Sequence, residues 1–375
     1  MKVLIFTCGE GLGHATRCIS IGRQLVESGH EVAFGSYGYS KKIIEDSGYK
    51  AYTVPPEMTL VGKDGAFDLV ASVSSSIRHT SPLGVASVLK TVDEVKPDVI
   101  LSDSYMLGVL AGKIRKTKSL LLLNQMNMVA FFQNRSLPIQ AVGKVAKLFY
   151  VRAFEHVEKI LIPDFKPPQT ICAKNLSFTK KMTEKTEFVG PLVRRKYSEE
   201  AELPLRKPQV LSMIGGFGYR EGLLRNTVRA ASLDDSINYT LLMGPNIDSK
   251  IFSQAGRNVE TLELMVNPFS RLKSSDLVIA PGGHSTIMEC MSYGKPMLSV
   301  PDANQVEQEN NAQMLEELGL GKRISYATPP EKMVEHIKEI LADAKMKERC
   351  EKMRQISEEM DGPKKVVDIL TKYSS

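Results

Sequence analysis

The chain has 375 residues, 42% of them hydrophobic and 25% charged, with 49 Lys+Arg against 43 Asp+Glu for a formal net charge of +6. Such a balance supplies a core for two or three domains and excludes a disordered, collagen-like, coiled-coil or disulfide-scaffold protein. The positive excess is below that of a dedicated nucleic-acid binder, so no nucleic-acid partner is expected, but it suits anionic small ligands or an acidic membrane surface.

Five cysteines (Cys8, Cys18, Cys172, Cys290, Cys350) are scattered without CxxC spacing. Neither a disulfide framework nor a zinc site is expected, and the reducing cytoplasm is the expected compartment. The apolar run at the N-terminus is too short for a signal peptide, and no window offers eighteen uninterrupted apolar residues, so no spanning segment is expected.

In chain order, Val3-Leu4-Ile5-Phe6 reads as a buried strand and His14 to Glu27 as a helix, ended by Gly29. Strand-type runs recur at Glu31–Phe34, Asp98–Ser102, Ser119–Leu123 and Lys159–Pro163. Apolar strands between amphipathic segments predict a parallel sheet covered on both faces. Residues 191–208 are polar and proline-punctuated and read as a linker. A second series follows at Val210–Ile214, Tyr239–Met243, Leu277–Ala280 and Met297–Val300, and the tail from Lys345 is charged and helical. The fold class expected is α/β, two doubly wound Rossmann-like domains facing across a cleft: 1–190, then 209–360, with a C-terminal helix at 361–375 packing back on the first domain. Ligands of such sheets bind beyond the carboxyl ends of the strands.

The first strand runs into Gly9-Glu10-Gly11-Leu12-Gly13-His14. The glycines admit a tight turn and close approach of a ligand to the backbone. The sixth position is histidine, and strand two ends without an acidic residue, which weakens a nicotinamide-dinucleotide reading. A histidine at the mouth of a cleft can exchange a proton near neutral pH, and a polar helix cap is the alternative. Arg17 can steady an anionic group or be an ordinary surface charge. Asp103, closing the strand from Asp98, can orient His14 or cap the next helix.

In the second half, Ile214-Gly215-Gly216-Phe217-Gly218 repeats the strand-to-glycine arrangement, and Pro281-Gly282-Gly283-His284-Ser285-Thr286 carries a strand into two glycines and two hydroxyls at a helix start. Backbone N–H groups, helix dipole and hydroxyls make an anion site of diphosphate type without metal, and GxxxxGK[ST] is absent. Glu289, one turn on from Ser285, can accept the hydroxyls of a ribose. Glu307, Gln308 and Asn311 follow the next strand and suit sugar hydroxyls.

These blocks, GxGH after strand one and GG…GGxSTxxE…EQxxNA later, resemble the GT-B nucleotide-sugar glycosyltransferases, in particular the peptidoglycan lipid-intermediate N-acetylglucosaminyltransferase family. The resemblance implies that Gly282, Gly283, Ser285 and Thr286 hold the donor diphosphate, with Gly215 and Gly216 also donor-binding. It implies Glu289 at the ribose, Met265 presenting its backbone to uracil, Glu307 and Gln308 at the donor sugar, and Arg194 near the phosphates. Gly11, Gly13 and Arg17 would form the acceptor loop, with His14 and Asp103 catalytic. The family's GGTGGH is here Gly9-Glu10-Gly11-Leu12-Gly13-His14, and its GGSQGA becomes Gly215-Gly-Phe-Gly-Tyr-Arg220. Gly13-His14-Ala-Thr-Arg17-Cys18 also resembles the start of the nucleotide-sugar hydrolases of pseudaminic acid synthesis.

The expected activity is an inverting, metal-independent hexosyl transfer from a UDP-sugar such as UDP-GlcNAc to a hydroxyl acceptor, small or lipid-linked. The UDP-sugar is a co-substrate and no cofactor is expected. Hydrolysis, epimerisation, or nucleotide-sugar binding without turnover are the alternatives. Met126 to Leu161 joins Met128, Val129, Phe131, Phe132, Leu148, Phe149 and Tyr150 to Lys144, Lys147 and Arg152. Such a stretch can lie peripherally on the inner face of an anionic membrane, or be a core helix with a basic outer face.

Overall fold

The computed structural model describes residues 1–374 other than 10, 58–60, 64, 70, 73–81, 128–129, 131, 133–136, 217–219, 245–246, 253–254 and 264–266. The chain divides into two compact units, one of residues 1–61, 68–194 and 361–375, the other of residues 62–67 and 195–360.

In the first unit the strands are β1 (Lys2–Thr7), β2 (Glu31–Ser36) and β3 (Ala51–Thr53). Next along the chain come β4 (Gly62–Lys63) and β5 (Ala66–Phe67), an antiparallel pair belonging to the second unit. The first unit resumes with β6 (Val99–Asp103), β7 (Ser119–Leu122), β8 (Lys159–Ile162) and β9 (Thr186–Phe188). They form one parallel sheet in the order β3-β2-β1-β6-β7-β8-β9. The strand interiors read as unbroken apolar runs because helices cover both faces: Val3, Leu4, Ile5, Val99, Ile100, Leu101, Leu120 and Leu121 are all fully buried.

The last helix, Gly362–Tyr373, is integral to this unit. Val366, Val367, Ile369 and Leu370 enter the cluster built on Val3, Ile21, Leu25 and Leu192. Each such burial is worth about 1.5–3 kcal/mol. Lys365 Nζ adds a 2.6 Å bond to the carbonyl of Phe188.

The second unit holds β10 (Gln209–Met213), β11 (Asn238–Leu242), β12 (Val259–Leu262), β13 (Leu277–Ala280), β14 (Met297–Ser299) and β15 (Gly321–Arg323). Their order is β12-β11-β10-β13-β14-β15, again parallel throughout. Both units are therefore the doubly wound domains that the sequence predicts.

The stretch read as a linker is structured on both sides of its true division. Leu192 belongs to the first core. From Arg195 onward the chain packs on the second unit: Glu200 accepts from Ser270 Oγ at 2.7 Å, Leu203 N–H donates to Ser274 Oγ at 2.7 Å, and Lys273 Nζ donates to the carbonyls of Tyr197 and Glu200. Hydrophilic composition there reflects surface position, with the backbone tied down by side chains that local sequence does not reveal.

Candidate active site

In each sheet the strand order reverses once, between β1 and β6 in the first unit and between β10 and β13 in the second. A crevice opens at the carboxyl ends of such a pair because their connections leave in opposite directions. The motifs singled out from the sequence follow these strands.

In the first unit Thr7 at the end of β1 pairs with Asp103 at the end of β6. The chain leaves β1 through a turn in which Gly11 has φ 77°, a conformation that only glycine adopts without strain. Ser40 Oγ holds that turn, donating to the carbonyls of Gly9 and Gly11 at 3.1 Å each. A β-carbon at Gly9 would lie 2.4 Å from the ring of Tyr37. Gly11 caps the helix Leu12–Glu27, which carries Gly13, His14 and Arg17 in its first two turns.

His14 Nδ1 lies 2.9 Å from Asp103 Oδ1. Arg17 Nε donates to Asp103 Oδ2 at 2.7 Å, its Nη2 donates to Oδ1, and its Nη1 donates to Asn124 Oδ1 at 2.8 Å. Cys18 Sγ adds a 3.2 Å contact to Oδ2. Burial alone would push the carboxyl of Asp103 up, but the Arg17 charge, then that of His14, and the hydrogen bonds from both overrule it and hold the group well below the usual carboxylate range. In the neutral ring, ionised and acceptor-only Asp103 places the proton on Nδ1 and leaves the lone pair on Nε2. The His14 side chain remains 25% exposed, whereas Asp103 is completely buried.

Arg17 differs from its expected role. Its side chain is only 3% exposed and is engaged by Asp103 and Asn124, so the anticipated acceptor-facing cation is an internal ion pair that fixes Asp103. A buried carboxylate at this position needs an internal counter-charge, and Arg17 is on the buried face of its helix. Arg194 is the last residue of the first unit, and its carbonyl accepts from Arg23 Nη1 at 3.4 Å.

Sequence reasoning missed Glu57. Its carboxylate accepts from the backbone N–H of Met106, at 2.8 Å, and of Leu107, at the start of the helix Met106–Arg115. Burial pushes its carboxyl up to about 7, against the pull of those two donors. Glu57 lies far from any motif in sequence, and only folding carries it to the helix that follows Asp103.

In the second unit Gly215, with φ 68°, follows β10, and a β-carbon there would lie 3.5 Å from Arg220 Nη1. Beyond β13, Gly282 and Gly283 lead into the helix His284–Ser292, capped by Gly283 with no side-chain cap and no acidic residue in the first turn. Ser285, Thr286 and Glu289 are partly exposed, while His284, Ile287, Met288, Cys290 and Met291 are buried. The hydroxyls and the carboxylate therefore share the open face. Gly282 is forced by packing: a β-carbon would lie 2.4 Å from the carbonyl oxygen of Gln308. Gly282→Ala is expected to lower the unfolding free energy by about 1–3 kcal/mol through overpacking, read by urea denaturation.

Glu307 and Gln308 open the helix Val306–Glu317, and Gln305 Oε1 caps its Glu307 N–H at 3.2 Å. Glu307 is partly exposed, but Gln308 is turned inward. Gln308 accepts from Asp302 N–H at 3.0 Å and donates to Asp302 Oδ2 at 3.1 Å, which departs from a side chain expected to meet the sugar. Asn311, also buried, donates to the carbonyl of Gly282 at 2.9 Å. Met265 lies outside the described residues, as do Phe217 and Gly218.

Comparison with known proteins bears on the family and the fold. Residues 224–366 match the glycosyltransferase family 28 C-terminal domain. An uncharacterized glycosyltransferase of Methanosarcina mazei is 47% identical over 372 residues, 99% of this chain and 98% of that protein. The chain belongs to the glycosyltransferases, with a family 28 C-terminal domain. The structure of the spinosyn rhamnosyltransferase SpnG complexed with thymidine diphosphate has a TM-score of 0.70 at 18% identity, covering 99% of this chain and 100% of SpnG. A UDP-N-acetylglucosamine–N-acetylmuramyl-(pentapeptide) pyrophosphoryl-undecaprenol N-acetylglucosamine transferase of Bacillus cereus is 25% identical over 85% of both chains. The enzyme is thus a transferase with the GT-B fold, and no helix among its described residues is long and apolar enough to cross a membrane.

Proposed function

We propose that the enzyme transfers a sugar, with inversion, from a UDP-sugar to a hydroxyl acceptor without a divalent metal. The observation that carries this reading is the His14–Asp103 pair at the switch point of the first sheet. His14 Nε2 takes the proton of the acceptor hydroxyl as its oxygen attacks the anomeric carbon. The anomeric C–O bond to the diphosphate breaks, the electron pair leaves with UDP, and the anomeric configuration inverts. General-base help of this kind is worth about 10²–10⁴-fold.

The second unit supports donor binding. The start of the helix His284–Ser292 offers backbone N–H groups, its dipole and the hydroxyls of Ser285 and Thr286 to the departing diphosphate. Each well-placed donor to a developing negative charge is worth about 3–4 kcal/mol. Glu289, on the same face, suits the ribose hydroxyls, and Glu307 the donor sugar. SpnG in complex with thymidine diphosphate lends support to a nucleotide donor, and the Bacillus cereus transferase to UDP-GlcNAc and a polyprenyl-diphosphate acceptor.

A lipid-linked acceptor also accords with the helix Leu137–Phe154, on which Leu137, Val145, Leu148 and Phe149 are 80%, 69%, 58% and 52% exposed. The last three are spaced i, i+3, i+4 and lie beside the exposed Lys144 and Arg152, a composition suited to the surface of an anionic bilayer. Phe132 and Tyr150, expected in the same stripe, instead pack inward: Phe132 is 6% exposed and Tyr150 packs against the cluster around Phe154. Met128, Val129 and Phe131 lie outside the described residues.

The decisive experiment follows UDP release from a panel of UDP-sugars with and without lipid extract, in the presence and absence of EDTA. Release that requires lipid and is unchanged by the chelator is the expected result. Release with water alone would make the enzyme a hydrolase, and loss of release in EDTA would overturn metal independence.

A further inference from the structure

Asp302 lies in the loop Pro301–Gln305 beyond β14, and its side chain is completely buried. Arg220, 6% exposed, meets it as a fork: Nε lies 3.0 and 2.9 Å from the two carboxylate oxygens, and Nη2 lies 2.5 Å from Oδ2. Arg220 Nη1 also donates to the carbonyl of Ile214 at 2.9 Å, so the guanidinium ties the turn after β10 to the loop after β14. Gln308 closes the other side with both ends of its amide, and Ala303 N–H donates to the carbonyl of Gly65 at 2.9 Å. An ion pair in the interior adds little stability over apolar packing of equal volume, but it is directional and orients what it joins.

We propose that Arg220, Asp302 and Gln308 are positioning residues for the donor sugar. Together they hold the Pro301–Gln305 loop and the first turn of the helix Val306–Glu317 so that Glu307 meets the sugar hydroxyls, and Gln308 acts through Asp302 rather than on the sugar. The proposal rests on the second unit being the donor-binding unit. Arg220 stands at the last position of the segment that corresponds to the related family's GGSQGA.

The test is a double-mutant cycle of Arg220→Lys and Gln308→Ala, reading kcat and KM for the UDP-sugar that the wild type turns over and the inhibition constant of UDP. Lysine keeps the charge and loses the fork. Each single change is expected to lower kcat/KM by about 10- to 100-fold through misplacement of the sugar. The inhibition constant of UDP should stay at the wild-type value, and the double variant should be no worse than the weaker single.

Losses that multiply in the double variant would mean that Gln308 acts on the sugar by itself, and the proposal would fail. It would also fail if UDP inhibition weakened in step with kcat/KM. Thermal melting identifies a variant that does not fold, and Asp302→Asn then replaces Arg220→Lys in the cycle with the same two outcomes. A wild type that neither binds UDP nor releases it from any UDP-sugar removes the donor reading, and this inference with it. An active wild type with variants that depart from the pattern removes the inference alone.

Discussion

With His14 replaced by alanine, sugar transfer is expected to fall by about 10²–10⁴-fold while the affinity for the UDP-sugar is unchanged. The expectation follows from how the ring is held. Nδ1 faces the Asp103 oxygen at 2.9 Å, and that oxygen belongs to a fully buried carboxylate kept ionised by Arg17. Arg17 Nη2 also lies 3.0 Å from Nδ1, but a guanidinium can only donate, so the acceptor within reach of an Nδ1 proton is Asp103 Oδ1. The basic lone pair is thus confined to Nε2. UDP release and calorimetric titration of the donor check both halves of the prediction. Lost affinity would make His14 a donor ligand, and an unchanged rate would remove it as the base.

Asp103→Asn carries the second large effect, on stability and rate together. The amide cannot neutralise Arg17, and removing one partner of a buried pair costs about 3–5 kcal/mol. The rate should fall towards that of His14→Ala, and adding His14→Ala to Asp103→Asn should cost little more, since both remove one proton-handling unit.

The pH dependence has a defined sign. Asp103 has a folded-state pKa held below its unfolded value of about 3.9, so its stabilising contribution is complete above that value and is lost as the pH falls below it. Urea unfolding of the wild type should therefore weaken with falling pH below about 4, and Asp103→Asn should show a shallower acid limb by roughly one proton. Equal acid limbs in the two proteins would mean that Asp103 is not the ionised partner of Arg17.

Much of the fold could be read from the chain because strands buried on both faces leave a local signature. Val3–Phe6, Leu120–Leu123 and Leu277–Ala280 are unbroken apolar runs, and each coincides with a strand. Short strands with mixed composition did not stand out: Gly321–Arg323 and Ala51–Thr53 lie at sheet edges, where one neighbour suffices and apolar density drops. The glycine turns were visible for a related reason, since a positive φ or a close backbone approach leaves glycine as the residue that fits. Both conditions apply, at Gly11 and at Gly282.

Residue types along the chain were enough to mark the two series of parallel strands, the turns that end β1, β10 and β13, and the pairing of His14 with Asp103 as a candidate. Each of these depends on residue type at one place in the chain. It took the folded chain to show that Arg17 points inward, that Glu57 caps a helix some fifty residues away, and that Gln308 turns to Asp302, the partner of Arg220. A charged or amide side chain reads the same in a sequence whether it faces water or a buried partner. Its role is set by which distant group the fold brings within about 3 Å of it, because desolvation makes such groups pair or stay outside.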